Sequence, residues 1–152
     1  MSGLFVTGTD TGCGKTEISL GLMAALQAQG LSVLGMKPVA SGCLTTPDGL
    51  RNEDAQRLLM QGSSVQPYAR INPYAFAPPI APHLAADETG VRIELAVIES
   101  AYAALQQAAD RVIVEGVGGW RVPLGADLLV GDIPRALDLP VEFLAPYFDT
   151  PY

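Results

Sequence analysis

Residues 6–16, with the sequence VTGTDTGCGKT, combine the residue types that bind phosphate groups. Glycines let backbone N–H groups converge on phosphate oxygens, and the N-terminus of a following helix adds a favourable dipole. We therefore predict a phosphate loop in which Lys15 reaches the terminal phosphates and the hydroxyl of Thr16 ligates Mg²⁺. Gly8 and Gly14 enclose five residues, one more than in the common form of this motif.

Two carboxylates could complete such a site, because Mg²⁺ bound to a nucleotide usually also needs acidic ligands. Glu115 ends the apolar run RVIVEG, where an acid can face the phosphates, although it could equally be a solvated acid at a strand end. Asp54 lies in the first turn of a predicted helix, where a carboxylate is favoured anyway by the helix dipole. The pattern alone does not choose Asp54 over Glu53.

Lys37 follows an apolar run and precedes Pro38, so it would lie at the end of a strand. A second lysine there could stabilise the charge that builds up during phosphoryl transfer, while an exposed lysine is the alternative. Ser41 could hydrogen-bond a substrate group or simply form a turn. The single histidine, His83, is more often structural than catalytic, and Trp120 either shields the site or anchors a loop.

The elements that must position these residues alternate between short apolar runs and amphipathic helices. This order predicts an α/β fold with a mostly parallel sheet flanked by helices. In such a sheet, the glycine-containing segments 8–14, 41–49 and 116–119 would lie at one edge, where ligands bind. We predict strands at 4–6, 32–36 and 111–116, helices at 14–29, 52–62 and 92–109, a polar loop at 39–51, and an irregular proline-rich segment at 72–83.

The spacing of apolar residues supports two of these helices. In the first helix Ile18, Leu22 and Leu26 are spaced by four, with Met23 beside them. In the helix at 92–109 the residues spaced by four are Ile93, Val97, Ala101 and Leu105. Asn52 is the expected cap of the middle helix and Gly62 its stop.

Composition restricts the function further. Of the 152 residues 49% are hydrophobic and 16% charged, and the net charge is −7, so a basic nucleic-acid-binding surface is not expected. No apolar run is long enough to span a membrane, and no secretion signal is visible. The two cysteines, Cys13 and Cys43, do not form a zinc motif and fit a reducing cytoplasm.

Five segments together resemble the dethiobiotin synthetase family, whose members use ATP to close the ureido ring in biotin synthesis. The segments are VTGTDTGCGKT (6–16), KPVASG (37–42), GLRNEDA (49–55), NPYAFAPPIAPHLAA (72–86) and VEGVGGWRVPL (114–124). The resemblance covers roughly residues 3–141 and includes the extra residue in the phosphate loop. It implies a fold of the P-loop NTPase type and a cytoplasmic homodimer.

The same resemblance implies a reaction and a set of roles. The substrate 7,8-diaminononanoate takes up CO₂ as a carbamate, ATP phosphorylates the carbamate, and the second amine displaces phosphate. Lys37 is then the catalytic lysine, assisted by Lys15, and Ser41 contacts the substrate. Thr16, Asp54 and Glu115 hold Mg²⁺. The nucleotide site comprises Gly12, Cys13, Gly14, Lys15, Thr16, Glu17, Asp54, Glu115, Gly116, Val117 and Gly118.

Two departures from the family pattern stand out. Ala81 occupies a position where we expect serine, and the missing hydroxyl could weaken a substrate contact or be neutral. After residue 141 the family would continue with an apolar strand, yet this chain has Glu142 and Pro146. We therefore expect a phosphate-loop domain over 1–141, an atypical tail over 142–152, an incomplete sheet with an exposed edge, and low activity.

Three other interpretations remain. A truncated, inactive relative would keep the local site without the activity. A ParA-like nucleotide switch would use the same fold, but such proteins commonly have an additional lysine early in the loop, where this chain has Thr9, Asp10 and Thr11. A glutamine-dependent amide ligase would need a further glutaminase domain.

Overall fold

The computed structural model describes residues 3–145. In chain order its elements are β1 (Gly3–Gly8), α1 (Lys15–Ala28), β2 (Val33–Met36), β3 (Val39–Ala40), β4 (Leu44–Thr46), β5 (Gly49–Arg51), α2 (Glu53–Gln61), α3 (Tyr68–Ile71), β6 (Tyr74–Ala75), α4 (Pro82–Thr89), α5 (Leu95–Ala108), β7 (Arg111–Glu115), α6 (Asp132–Ala136) and β8 (Val141–Leu144).

The central sheet consists of four parallel strands in the order β2-β7-β1-β8. Its inner strands are continuous apolar runs, since a parallel sheet is covered by helices on both faces. Phe5 of β1 lies opposite Val114 of β7 and is fully buried. The predicted α/β class with a parallel sheet is thus confirmed, and both inner strands end at the edge that carries the glycine-rich loops.

β8 forms one edge of this sheet and continues into the segment that we expected to be an atypical tail. Its register places Val141 beside Phe5, and the N–H of Thr9 donates to the carbonyl of Leu144 at 3.0 Å. Glu142, which departs from the apolar strand expected for the family, lies within β8, where the edge position leaves its side chain exposed. Phe143 is 52% exposed on the same edge. Pro146 lies outside the described residues.

The structure contains all three predicted helices, with small differences in their bounds. α5 begins at Leu95, three residues later than predicted, and buries Ile98, Tyr102 and Leu105. Val97, one of the residues spaced by four, is 41% exposed. In α1, Met23 is buried, whereas Ile18 is 43% exposed. Helices rich in alanine and leucine carry apolar residues on several faces, so spacing alone does not select the face that packs.

Two segments predicted to be irregular contain short strands. Residues 39–51 include β3 and the antiparallel pair β4–β5, and residues 72–83 include β6, which pairs with β3. Pro82 is the first residue of α4, a position where proline costs no hydrogen bond. The predicted cap Asn52 is confirmed, since its side chain accepts from the N–H of Ala55 at 3.0 Å.

Candidate functional site

The phosphate loop connects β1 to α1 and is shaped by close backbone packing. Gly14 has φ of 93°, in the left-handed region that disfavours residues with a Cβ. A Cβ on Gly8 would collide with the sulfur of Cys13, so the loop folds tightly over the end of its strand. The N-terminus of α1, with its unpaired N–H groups and positive dipole, therefore faces the space above the sheet.

Lys15, the first residue of α1, is buried although it is charged. Its ammonium donates to the carbonyl of Asp10 at 2.5 Å and lies 3.9 Å from the sulfur of Cys13. The side chain of Lys15 thus bends back across the phosphate loop towards Asp10. A cation held at this place attracts phosphate oxygens that enter the loop.

Glu115 is the centre of the polar cluster at the end of β7. Its side chain is 1% exposed, and its Oε1 accepts from the hydroxyl of Thr16 at 2.8 Å and from the ammonium of Lys37 at 2.9 Å. Its Oε2 is buried and has no hydrogen-bond partner among residues 3–145. A carboxylate oxygen left unpaired in a protein interior is costly unless a cation or a donor completes it.

Lys37 is fixed by its backbone as well as by its ion pairs. Its N–H donates to the carbonyl of Ile71 at 2.7 Å, and the buried amide of Asn72 donates to its carbonyl at 2.9 Å. Lys37 also lies 3.4 Å from a carboxylate oxygen of Asp54. The α2 N-terminus therefore reaches the same cluster as β2 and β7.

Asp54, and not Glu53, faces this cluster. The cap at Asn52 sets the start of α2, and this start turns Asp54 towards Lys37 while Glu53 remains exposed. Of the two carboxylates that the sequence left open, Asp54 is the one that lies in the cluster, and its role as a metal ligand stays a prediction. Asp54 is 39% exposed, so it is the solvent-facing carboxylate of the cluster and Glu115 the buried one.

A cavity of about 440 Å³ joins these groups. Of the predicted site residues, Cys13 and Gly116 do not line it, although the carbonyl of Gly116 accepts from Lys37 at 3.5 Å. The residues that line the cavity are Thr11, Gly12, Gly14, Lys15, Thr16, Glu17, Lys37, Ser41, Asn52, Asp54, Arg57, Glu115, Val117 and Gly118. It thus brings together the phosphate loop, the end of β7 and the segment after β2.

Three cavity residues, Thr11, Asn52 and Arg57, were not among the predicted site residues, and Arg57 is the charged one. It lies one helical turn after Asp54, a spacing that places both on one face of α2. Its guanidinium donates to the Glu17 carboxylate at 2.8 Å. This bond and the charge of Arg57 hold the pKa of Glu17 below its usual value, and the same contact raises the pKa of Arg57. The helical spacing was a signal that could have found it.

Other residues singled out in the sequence lie away from the cavity. Trp120 packs against Gly131 and anchors the loop after β7. His83 is half-buried in the first turn of α4, and its Nδ1 has no partner. Ala81 is the N-cap of α4 and makes no side-chain cap. A serine at this position would therefore cap the first turn of the helix.

Among residues 3–145, no group of three or more histidine, cysteine, aspartate or glutamate side chains is arranged to hold a metal ion. The oxygen set of Thr16, Asp54 and Glu115 still fits a hard divalent cation, which takes hydroxyl and carboxylate oxygens and keeps several waters. The unpartnered Glu115 Oε2 supports this fit.

None of the helices in the described part of the chain has the length and apolar character needed to cross a bilayer.

Comparison with known proteins identifies one family and several relatives that share the same name. The sequence profile of a family described as an AAA domain matches residues 2–149. An ATP-dependent dethiobiotin synthetase BioD of Xanthomonas oryzae pv. oryzae (strain PXO99A) is 53% identical over 137 residues, covering 90% of this chain and 61% of the relative. The protein of the same name from Pseudomonas aeruginosa (strain UCBPP-PA14) is 52% identical over 142 residues, covering 93% and 62%.

The chain therefore spans about three fifths of the length of the curated relatives it matches. The resemblance to the dethiobiotin synthetase family, inferred from five sequence segments, is confirmed by the identity of these relatives.

Proposed function

The chain belongs to the AAA domain family, and from this we propose that it carries the ATP-binding and phosphoryl-transfer site of an ATP-dependent dethiobiotin synthetase. The observation that carries the proposal is the buried Lys37–Glu115 pair, which lies beside the phosphate loop in one cavity. The match to the AAA domain family supports the nucleotide-binding role proposed for the loop. The names of the relatives support the proposed reaction.

The reaction proposed for this site has two chemical steps. An oxygen of the carbamate of 7,8-diaminononanoate attacks the γ-phosphorus of ATP, and the bond to the bridging oxygen of ADP breaks. The second amine then attacks the carbamate carbon, releases inorganic phosphate and a proton, and closes the ring. Phosphorylation is needed because a carbamate is a poor electrophile, and no covalent enzyme nucleophile is required.

The residues of the chain contribute mainly by position and charge. The loop N–H groups and Lys15 would hold the phosphates, and Lys15 would exchange the carbonyl of Asp10 for a phosphate oxygen. Lys37 would face the transferred group, because it is held at the end of β2 by Glu115 and by its backbone bonds. Ser41 lines the same cavity and would contact the diamine substrate.

Mg²⁺ is also a proposal, with Thr16, Asp54 and Glu115 as its protein ligands. When bound, it would neutralise charge on the phosphates during transfer. We further propose a cytoplasmic homodimer, as in the family that the sequence resembles; the biosynthetic role named for the relatives supports the compartment.

Phosphate release from Mg-ATP by the 152-residue chain tests the function. We expect release, at a low rate, only when both 7,8-diaminononanoate and bicarbonate are present, and we expect its loss in a Lys37→Ala chain that circular dichroism shows to be folded. Arg70→Ala, which changes an exposed arginine on α3, serves as a matched control and keeps the release. A folded chain that binds ATP but releases no phosphate in any mixture would contradict the ligase activity.

A further inference from the structure

The cavity holds one charged residue for which neither the phosphate loop nor the Lys37 cluster gives a role. Three cations line it, Lys15, Lys37 and Arg57, together with the carboxylates of Glu17, Asp54 and Glu115. Lys37 is paired with two of these carboxylates, and Lys15 spans its own loop. Arg57 is paired with the third carboxylate, Glu17, in the first turn of α1.

The Arg57–Glu17 pair lies at the rim of the cavity and is open to solvent. The side chains are 40% and 70% exposed, so the pair contributes little to stability. Little energy is therefore needed to separate it. A polyphosphate that enters beside the N-terminus of α1 brings more negative charge than one carboxylate, and a guanidinium binds phosphate oxygens in a fork that matches their geometry.

We propose that Arg57 binds a phosphate oxygen of the nucleotide by leaving Glu17, so that it is a further nucleotide-binding residue of this site. The inference rests on the proposed nucleotide site but not on ring closure. Arg57 contacts Glu17 in the first turn of α1, and it lines the same cavity as the phosphate-loop residues Gly12, Gly14 and Lys15. Glu17 holds the guanidinium at the rim before the exchange.

Two roles must be separated, because Arg57 could act only by neutralising the charge of Glu17. In that case the removal of both charges would restore binding. If Arg57 contacts the phosphate itself, its loss matters whether or not residue 17 carries a charge, so the Glu17→Gln chain serves as a second reference background, whatever its own affinity for ATP. Arg57→Ala then weakens binding in the wild-type and in the Glu17→Gln background alike.

The experiment measures the dissociation constants of ATP, ADP and AMP for the full chain by isothermal titration calorimetry. One charge-assisted hydrogen bond corresponds to about tenfold in affinity, so we expect Arg57→Ala to weaken ATP about tenfold and AMP less. Arg57→Lys should fall between, because it keeps the charge but loses the fork. Arg70→Ala is the matched control and should leave all three constants unchanged.

Equal ATP affinity of wild type and Arg57→Ala would overturn the proposal. So would a double variant Arg57→Ala/Glu17→Gln that binds ATP as tightly as Glu17→Gln alone. A folded wild-type chain that binds no nucleotide would refute the proposed nucleotide site and this role with it. Normal ATP binding without ring closure would refute only the ligase activity and leave the role of Arg57 intact.

Discussion

Replacement of Lys37 by alanine should destabilise the fold strongly, because it leaves Glu115 buried without its partner. The two charges are 2.9 Å apart, and their side chains are 6% and 1% exposed. At an effective dielectric constant of about 20, charges at this distance attract by roughly 6 kcal/mol. In the wild type, part of this attraction is offset by the hydration that Lys37 loses when it is buried, a cost that the alanine variant does not have. We take this cost to be about half of the attraction, so the net loss is about 3 kcal/mol.

Urea unfolding at neutral pH measures this loss. We expect Lys37→Ala to lower the unfolding free energy by about 3 kcal/mol, which corresponds to a fall in the thermal midpoint of roughly 6–12 °C for a domain of this size. The double variant Lys37→Ala/Glu115→Gln should recover about 2 kcal/mol of it, since no buried charge is then left unpaired and Asp54 is partly exposed to solvent. Arg135→Ala, which breaks an exposed pair, should cost less than about 1 kcal/mol.

The reasoning is refuted if Lys37→Ala unfolds within about 1 kcal/mol of the wild type, a loss no larger than that of an exposed pair. It is also refuted if the double variant is less stable than Lys37→Ala. Either result would mean that Glu115 does not need the lysine to remain buried.

Two further predictions concern parts of the fold outside the site. Ala81→Ser should stabilise the chain by about 1 kcal/mol, because it supplies the missing cap of α4; an unchanged urea midpoint would contradict this. Hydrogen bonds from the N–H and the hydroxyl of Ser32 lower the pKa of Asp110 in the folded chain below its ordinary value of 3.8. The ionised Asp110 therefore stabilises the fold above pH 3.8, and this stabilisation is lost as the pH falls from 3.8 through the lower pKa of the folded state. Asp110→Asn should therefore be less stable than wild type at pH 7, and the gap in urea midpoint should close in acid; a constant gap would rule the linkage out.

The phosphate loop could be predicted from the sequence because its information is local. A strand, a glycine-rich turn and the start of a helix follow one another within residues 3–28, and each follows from neighbouring residues. The same holds for α2, whose cap at Asn52 and stop at Gly62 are set by side-chain and backbone geometry within a turn. The class of the fold followed from the alternation of such units.

The polar cluster could not be derived in the same way. Lys37 and Glu115 are 78 residues apart and meet because β2 and β7 are neighbours in the sheet. The choice of Asp54 over Glu53 depends on which side of α2 faces β2. β8 is an edge strand because it pairs with β1 alone. This edge position, which the sequence does not reveal, is the reason that β8 can contain the charged residue Glu142.

The amino-acid order alone was thus enough to predict the glycine-rich loop between β1 and α1, the cap of α2 and the alternation of strands with helices. Which charges became partners, which helix faces were buried and where Arg57 points were decided by tertiary packing. The physical reason is that backbone conformation depends mostly on adjacent residues, whereas burial and ion pairing depend on surfaces brought together from distant parts of the chain.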